Sequence, residues 1–132
     1  MRKLSLPLFP YRTDASGNTF PVVPLSLEFG TKKKEFFALI DSGATISIFR
    51  SEVAESLGIN IEKGKETYLG GVGGRIKGYV HKLQIEIAGK KFICPVVFSR
   101  EYTVSYNLLG REAFLKQFRI IFEVKKNLLK LE

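Results

Sequence analysis

Three stretches of this 132-residue chain carry residue types that could do chemistry. The first is Leu39-Ile40-Asp41-Ser42-Gly43-Ala44, where an apolar run drives straight into an acidic side chain. A carboxylate at the end of a hydrophobic strand is costly unless it is paired or hydrogen-bonded. The ordinary use of Asp, Ser and Gly in succession is a solvated Asx turn, and a bare triplet says little more than that. Here Phe37 and Ala38 precede it, and Ile46, Ile48 and Phe49 follow. A solvated turn has no need of apolar flanks on both sides, so Asp41 is a candidate general acid or base.

The second stretch is Tyr68-Leu69-Gly70-Gly71-Val72-Gly73-Gly74-Arg75-Ile76-Lys77-Gly78. Phosphate-loop readings fail on spacing: a dinucleotide fingerprint would need glycine at Ile76, and Gly73 to Gly78 is followed by Tyr79 instead of lysine. What remains is a long hairpin with a glycine-rich tip, either a plain loose turn or a lid. The third stretch, Asn107-Leu108-Leu109-Gly110-Arg111, is an apolar pair closed by glycine, and alone it reads as core.

Cys94 and His81 are each the only residue of their type. One of each cannot build a structural zinc site. Both sit in alternating, strand-like runs, so Cys94 reads as a small buried hydrophobe. A Cys/His nucleophilic pair lacks a third orienting group.

The elements that must position these residues repeat with a period of two. Residues 21–29 and 35–40 flank a Gly30-to-Lys34 turn; 79–87 and 91–98 flank Ala88-Gly89-Lys90; 118–124 and 128–132 flank Lys125-Lys126-Asn127. Each pair reads as a hairpin. Pro95 argues for an edge or a bulge in its strand. Two short helices are predicted, 52–57 with Ser51 as N-cap and Gly58 as stop, and 111–118 after Gly110. Tyr11 to Phe20 is loop-like.

With 45% hydrophobic residues and no linker composition, the chain is expected to be a single domain over 1–132. No apolar run approaches the roughly 20 residues a membrane helix needs. One cysteine suits a reducing compartment, and the expectation is a soluble, cytoplasmic protein. The net charge of +8 comes from lysines clustered in turns, which are ordinarily solvated corners. No basic helical face appears, so a nucleic-acid partner is not expected; a mild preference for acidic partners is the most the charge supports.

Taken in order, the three stretches resemble the retropepsin-like aspartic proteases. Leu39-Ile40-Asp41-Ser42-Gly43-Ala44 matches the family's apolar-apolar-Asp-[Thr/Ser]-Gly-Ala motif, with Ser42 where viral members more often carry Thr. Gly70 to Gly74 matches the flap, and Leu108-Leu109-Gly110-Arg111 matches the segment that crosses behind the catalytic loop. The likeness covers about residues 20–132. It implies a mostly β fold, a retropepsin-like closed β-barrel of the acid-protease-half type, with one or two short helices and a flap hairpin. It implies no cofactor and no metal.

The family's chemistry needs two carboxylates, and this chain has one Asp-Ser-Gly. The resemblance therefore implies a homodimeric endopeptidase with Asp41 of each copy at a two-fold axis. Two carboxylates about 3 Å apart repel by roughly 5–6 kcal/mol at an effective dielectric near 20, so they hold one proton between them. Ser42 would tie the two loops together, Gly43 would let backbone approach the substrate, and Gly70, Gly71, Val72, Gly73 and Gly74 would cover an extended peptide. The alternative keeps the fold without hydrolysis: a retropepsin-like dimerisation or peptide-binding module.

Overall fold

The computed structural model describes residues 7–71 and 74–132. Strand β1 (Leu8–Pro10) is followed by a small hairpin of β2 (Arg12–Thr13) and β3 (Thr19–Phe20). The stretch from Tyr11 to Phe20 is thus not simply a loop. Asp14 makes the difference: its Oδ1 accepts the N–H groups of Ser16 and Asn18, each at 2.9 Å, and Gly17 supplies a left-handed backbone at φ 87°.

The main hairpin joins β4 (Val22–Phe29) to β5 (Lys32–Ile40). Gly30 at φ 60° lets two residues make the turn, so the three lysines predicted to lie in it begin β5 instead. They remain exposed there, and Lys33 reaches Glu86 at 3.1 Å. Then come β6 (Ser47–Phe49), helix α1 (Ser51–Leu57), a single 3₁₀ turn (Ile61–Lys63), β7 (Lys65–Gly71) and the long β8 (Gly74–Ile87). After β9 (Lys90–Phe98) and β10 (Asn107–Leu109) a five-residue π-type helix runs over Arg111–Leu115. Strands β11 (Ile120–Glu123) and β12 (Leu128–Leu131) end the chain.

Two local expectations are corrected. Ser51 is inside α1, not its cap; Arg50 holds the extended N-cap position, and no side chain caps it. Glu52 in the first turn lies below the ordinary carboxylate range, held there chiefly by backbone hydrogen bonding. Gly58 at φ 73° does stop the helix. The second helix stops at Leu115, short of the predicted Phe118, because the chain then turns to stack Phe118 on Phe114 and Phe92.

The strands pair in the order β4-β5-β10-β6-β9-β8-β7, and β4 pairs again with β8 through Ser26–Glu28. That second pairing closes a ring of six strands from which β7 and the upper part of β8 project. The fold is mostly β and retropepsin-like, as expected. Pro95 is flanked only by β8; the parallel partner β6 joins β9 from Val96 onward, so the missing N–H breaks no bond on that side. A second sheet, β1-β12-β11, is not hydrogen-bonded to the ring but packs Leu129 and Leu131 into the same core.

Alternation places Val23, Leu25 and Leu27 of β4 and Leu83, Ile85 and Ile87 of β8 inside one core with Phe49, Phe98 and Phe114. Each such side chain contributes about 1.5–3 kcal/mol on burial. Strand β10 threads the middle of this arrangement, parallel to β5 and antiparallel to β6. It brings the end of β5, where Asp41 follows, against the Gly110 segment.

Candidate active site

Asp41 leaves β5 just after the buried Ile40, and its N–H donates to the Leu109 carbonyl at 3.0 Å. Its Oδ1 accepts the Gly43 N–H at 3.0 Å, and the Ala44 N–H returns to the Asp41 carbonyl at 3.1 Å. That local geometry is the Asx turn the residue types favour in any setting. What surrounds it is not ordinary. A Cβ placed on Gly110 would lie 2.6 Å from the Ile46 carbonyl oxygen and 2.9 Å from that of Ala44. Only glycine permits the two backbones to pass this closely.

Once there, the crossing segment grips the loop. Arg111 and Glu112 donate backbone N–H groups to Ala44 and Thr45 carbonyls at 2.8 and 2.7 Å. The Arg111 guanidinium reaches the Ser42 carbonyl at 2.9 Å and Thr45 Oγ1 at 3.1 Å. The buried Ser47 hydroxyl accepts the Gly110 N–H at 3.0 Å. Asn107, also buried, donates to the Phe37 carbonyl and accepts from Arg50 N–H, bracing β5 and β6 from behind. The loop carrying Asp41 is therefore fixed by side chains of its neighbours, while Ser42 and Gly43 stay exposed.

Strands β7 and β8 stay paired out to Gly70 opposite Arg75 and Gly71 opposite Gly74. Val72 and Gly73, at the predicted tip, lie outside the described residues. Between this hairpin and the Asp41 loop runs a cleft of about 600 Å³. Gly43, Ala44 and Thr45 line one side; Leu69, Gly70, Gly74 and Ile76 line the other. Gly43 of the Asp-Ser-Gly loop and Gly70 and Gly74 of the glycine-rich hairpin thus face one space, while Asp41 and Ser42 are not among the residues that line it.

Sequence reasoning missed the third wall, Tyr102 and Val104. They sit in the aperiodic segment between β9 and β10, where no pattern singles them out. The Tyr102 hydroxyl donates to the Tyr106 carbonyl at 2.7 Å. Burial first, then the negative charge of Asp41, pushes this phenol up to about 12. Arg111 was visible in the crossing motif, but its guanidinium contacts were not. Cys94 and His81 stay apart from the cleft. The thiol is fully buried and pushed up to about 11 by that burial, while the imidazole hydrogen-bonds the Ile61 carbonyl at 2.9 Å.

A family model described as aspartyl protease matches residues 23–113, about two-thirds of the chain. The chain belongs to the aspartyl protease family. As a member it is an aspartic-type endopeptidase, a hydrolase. By structure the protease is similar to EIAV protease complexed with the inhibitor HBY-793, at a TM-score of 0.59. The two are 19% identical over 74% of this chain and 88% of that one, a likeness of fold. A sequence comparison with curated proteins gives no match. Among the described residues of the protease, no helix is long and apolar enough to cross a membrane.

Two outcomes follow from this geometry. Gly110→Ala is expected to cost about 1–3 kcal/mol, because backbone carbonyls, not flexible side chains, must give way; urea unfolding measures it, and an unchanged midpoint would contradict the close approach. Tyr102 is expected to titrate near 12 by its ultraviolet absorbance, a shift absent in Tyr102→Phe. Its raised value means that stability from this group is full below the unfolded-state value near 10 and falls as pH rises towards 12.

Proposed function

We propose that the protease works as a homodimer in which Asp41 from each copy completes one catalytic centre. The observation that carries this is the single Asp-Ser-Gly in the chain, on a loop whose Gly43 and Ala44 line the cleft. With one carboxylate per chain, the two-carboxylate chemistry of the family needs a second copy, and a two-fold axis supplies an identical loop.

In the proposed reaction one Asp41 is ionised and its twin holds a proton. The ionised carboxylate takes a proton from a bridging water as the water oxygen bonds to the peptide carbonyl carbon. The protonated twin gives its proton to the carbonyl oxygen, forming a gem-diol with no covalent enzyme adduct. Collapse of the diol breaks the C–N bond, and the nitrogen leaves with a proton returned from the carboxyl pair. Ser42 ties the two loops across the axis, and Gly43 lets the substrate backbone approach. The β7–β8 hairpin, with Gly70 to Gly74 at its end, closes over an extended peptide and excludes water.

The three-stranded sheet of terminal strands supports the dimer reading. It exposes Leu8 and Phe122, at 52% and 40%, with Val124 at 68% in the turn just after β11, and β1 and β11 are its unpaired edges among the described strands. The same reading takes residues 1–132 as one domain in a reducing, cytoplasmic setting, where the buried thiol of Cys94 stays free.

Asp41→Asn keeps the size and reach of the side chain but cannot share a proton. It is expected to lower peptide hydrolysis about a thousandfold or more while the dimer persists in sedimentation. A folded, dimeric variant with wild-type activity would refute the mechanism, and a wild type inert on all peptides would favour the binding-module alternative. Sedimentation showing monomer at high micromolar concentration, with specific activity independent of concentration, would refute the dimer.

A further inference from the structure

On the far side of the Tyr102–Tyr106 segment a second pocket, of about 360 Å³, opens between the β2–β3 hairpin and the β5–β10 pair. Its surface is aromatic and charged at once. Phe20 lies 5.1 Å from Tyr106, and the Arg12 guanidinium sits 4.2 Å over the ring of Phe37. A guanidinium stacked on a ring keeps its N–H edge free, in the planar fork that fits a carboxylate. Arg12 makes no ion pair among the described residues.

The other cation and the amide of the pocket are already engaged. Arg50 is bound to Glu52 at 2.5 Å. Asn107 spends its amide on Phe37 and Arg50. Asp14 also lines the pocket, with Oδ1 taken by two backbone N–H groups, and its charge tempers the site. With Arg50 paired to Glu52, Arg12 and Asp14 are the charged groups left on the lining, in a chain of net charge +8. Arg12 is the cation left to recognise a ligand.

The pocket adjoins the cleft through one peptide bond: Ser105 lines the first and Val104 the second. Along β5, Phe37 precedes Asp41 by four residues, about 13 Å at the rise of a strand. An extended peptide advances by a similar step, so four of its residues cover the same span.

Resting on the reading of Asp41 as catalytic, we propose that this pocket is an accessory subsite of the cleft, in which Arg12 stacked on Phe37 binds the carboxylate of a substrate Asp or Glu about four residues from the scissile bond. The protease then selects peptides that carry an acidic residue at that distance.

Two peptides, identical except for Glu or Gln at that position, decide it. The Glu peptide is expected to have a kcat/KM roughly five- to tenfold higher at low salt, carried by KM, as suits a partly exposed forked ion pair. The ratio falls towards one in about 0.5 M salt and in Arg12→Gln. Alongside, amide NMR with a short Glu peptide lacking the cleaved bond is expected to shift Thr13, Ser105 and Asn107, and the Gln twin is not. A ratio of one together with no such shifts overturns the proposal. Should the wild type cleave neither peptide, the Asp41 reading fails by itself, and the NMR arm still decides the pocket: Glu-specific shifts support it and their absence overturns it.

Discussion

The close passage of Gly110 behind the Asp41 loop is the contact on which the rest of the site depends. Carbonyl groups of Ala44 and Ile46 stand where any side chain on residue 110 would have to go. Because that position is glycine, β10 can insert between β5 and β6 and pair with both. The pairing carries the loop's hydrogen bonds with it: Asp41 to Leu109, Arg111 to Ala44 and Glu112 to Thr45. Each is worth about 1 kcal/mol net, yet leaving any of these groups buried without a partner would cost more than making the bond gains. The crossing therefore holds a carboxylate at the end of an apolar strand in one geometry.

The cleft has two walls of different character. The Asp41 side is braced by side chains that are themselves buried or paired, Asn107, Ser47 and Arg111 among them. The hairpin side is a two-stranded ribbon beyond the ring, held by its own ladder and by surface contacts such as Lys77 to Glu66 at 3.3 Å and Arg75 over Tyr68 at 4.9 Å. Exposed contacts of that kind contribute little. The ribbon is tied to the ring lower down, where Ser99 donates to the Lys77 carbonyl at 2.5 Å and Gly78 packs on Val97 with no room for a Cβ. A fixed floor under a lightly held roof suits a site that must admit an extended chain and then exclude water.

Much of this is legible in the sequence because the signals are local. Alternation in β4 and β8 marks the residues that are buried, and Ala88-Gly89 marks a turn in which both residues take positive φ, 53° and 80°. Asp41-Ser42-Gly43-Ala44, the glycine run and Leu108-Leu109-Gly110-Arg111 stand in an order that resembles one family. The rest is hidden for physical reasons. Strands of two residues, such as β2 and β3, have no period to detect. The β4–β8 pairing that closes the ring joins residues nearly 60 positions apart. Ser51 has the chemistry of a cap, but the chain enters the helix one residue earlier, and the Ser51 hydroxyl turns to Glu52. Tyr102 gains its importance only from the fold, which sets an aperiodic loop beside Asp41.

The homodimer proposed for the protease makes one active centre from two chains. Mixing wild-type and Asp41→Asn chains at constant total concentration, with time for subunits to exchange, tests it most directly. Any dimer holding one variant chain lacks half of the carboxylate pair. With a shared centre, activity is expected to follow the square of the wild-type fraction, about one quarter of the full value in an equal mixture. Activity that falls only in proportion to that fraction, to about one half, would show that each chain acts alone and would rule out a shared centre.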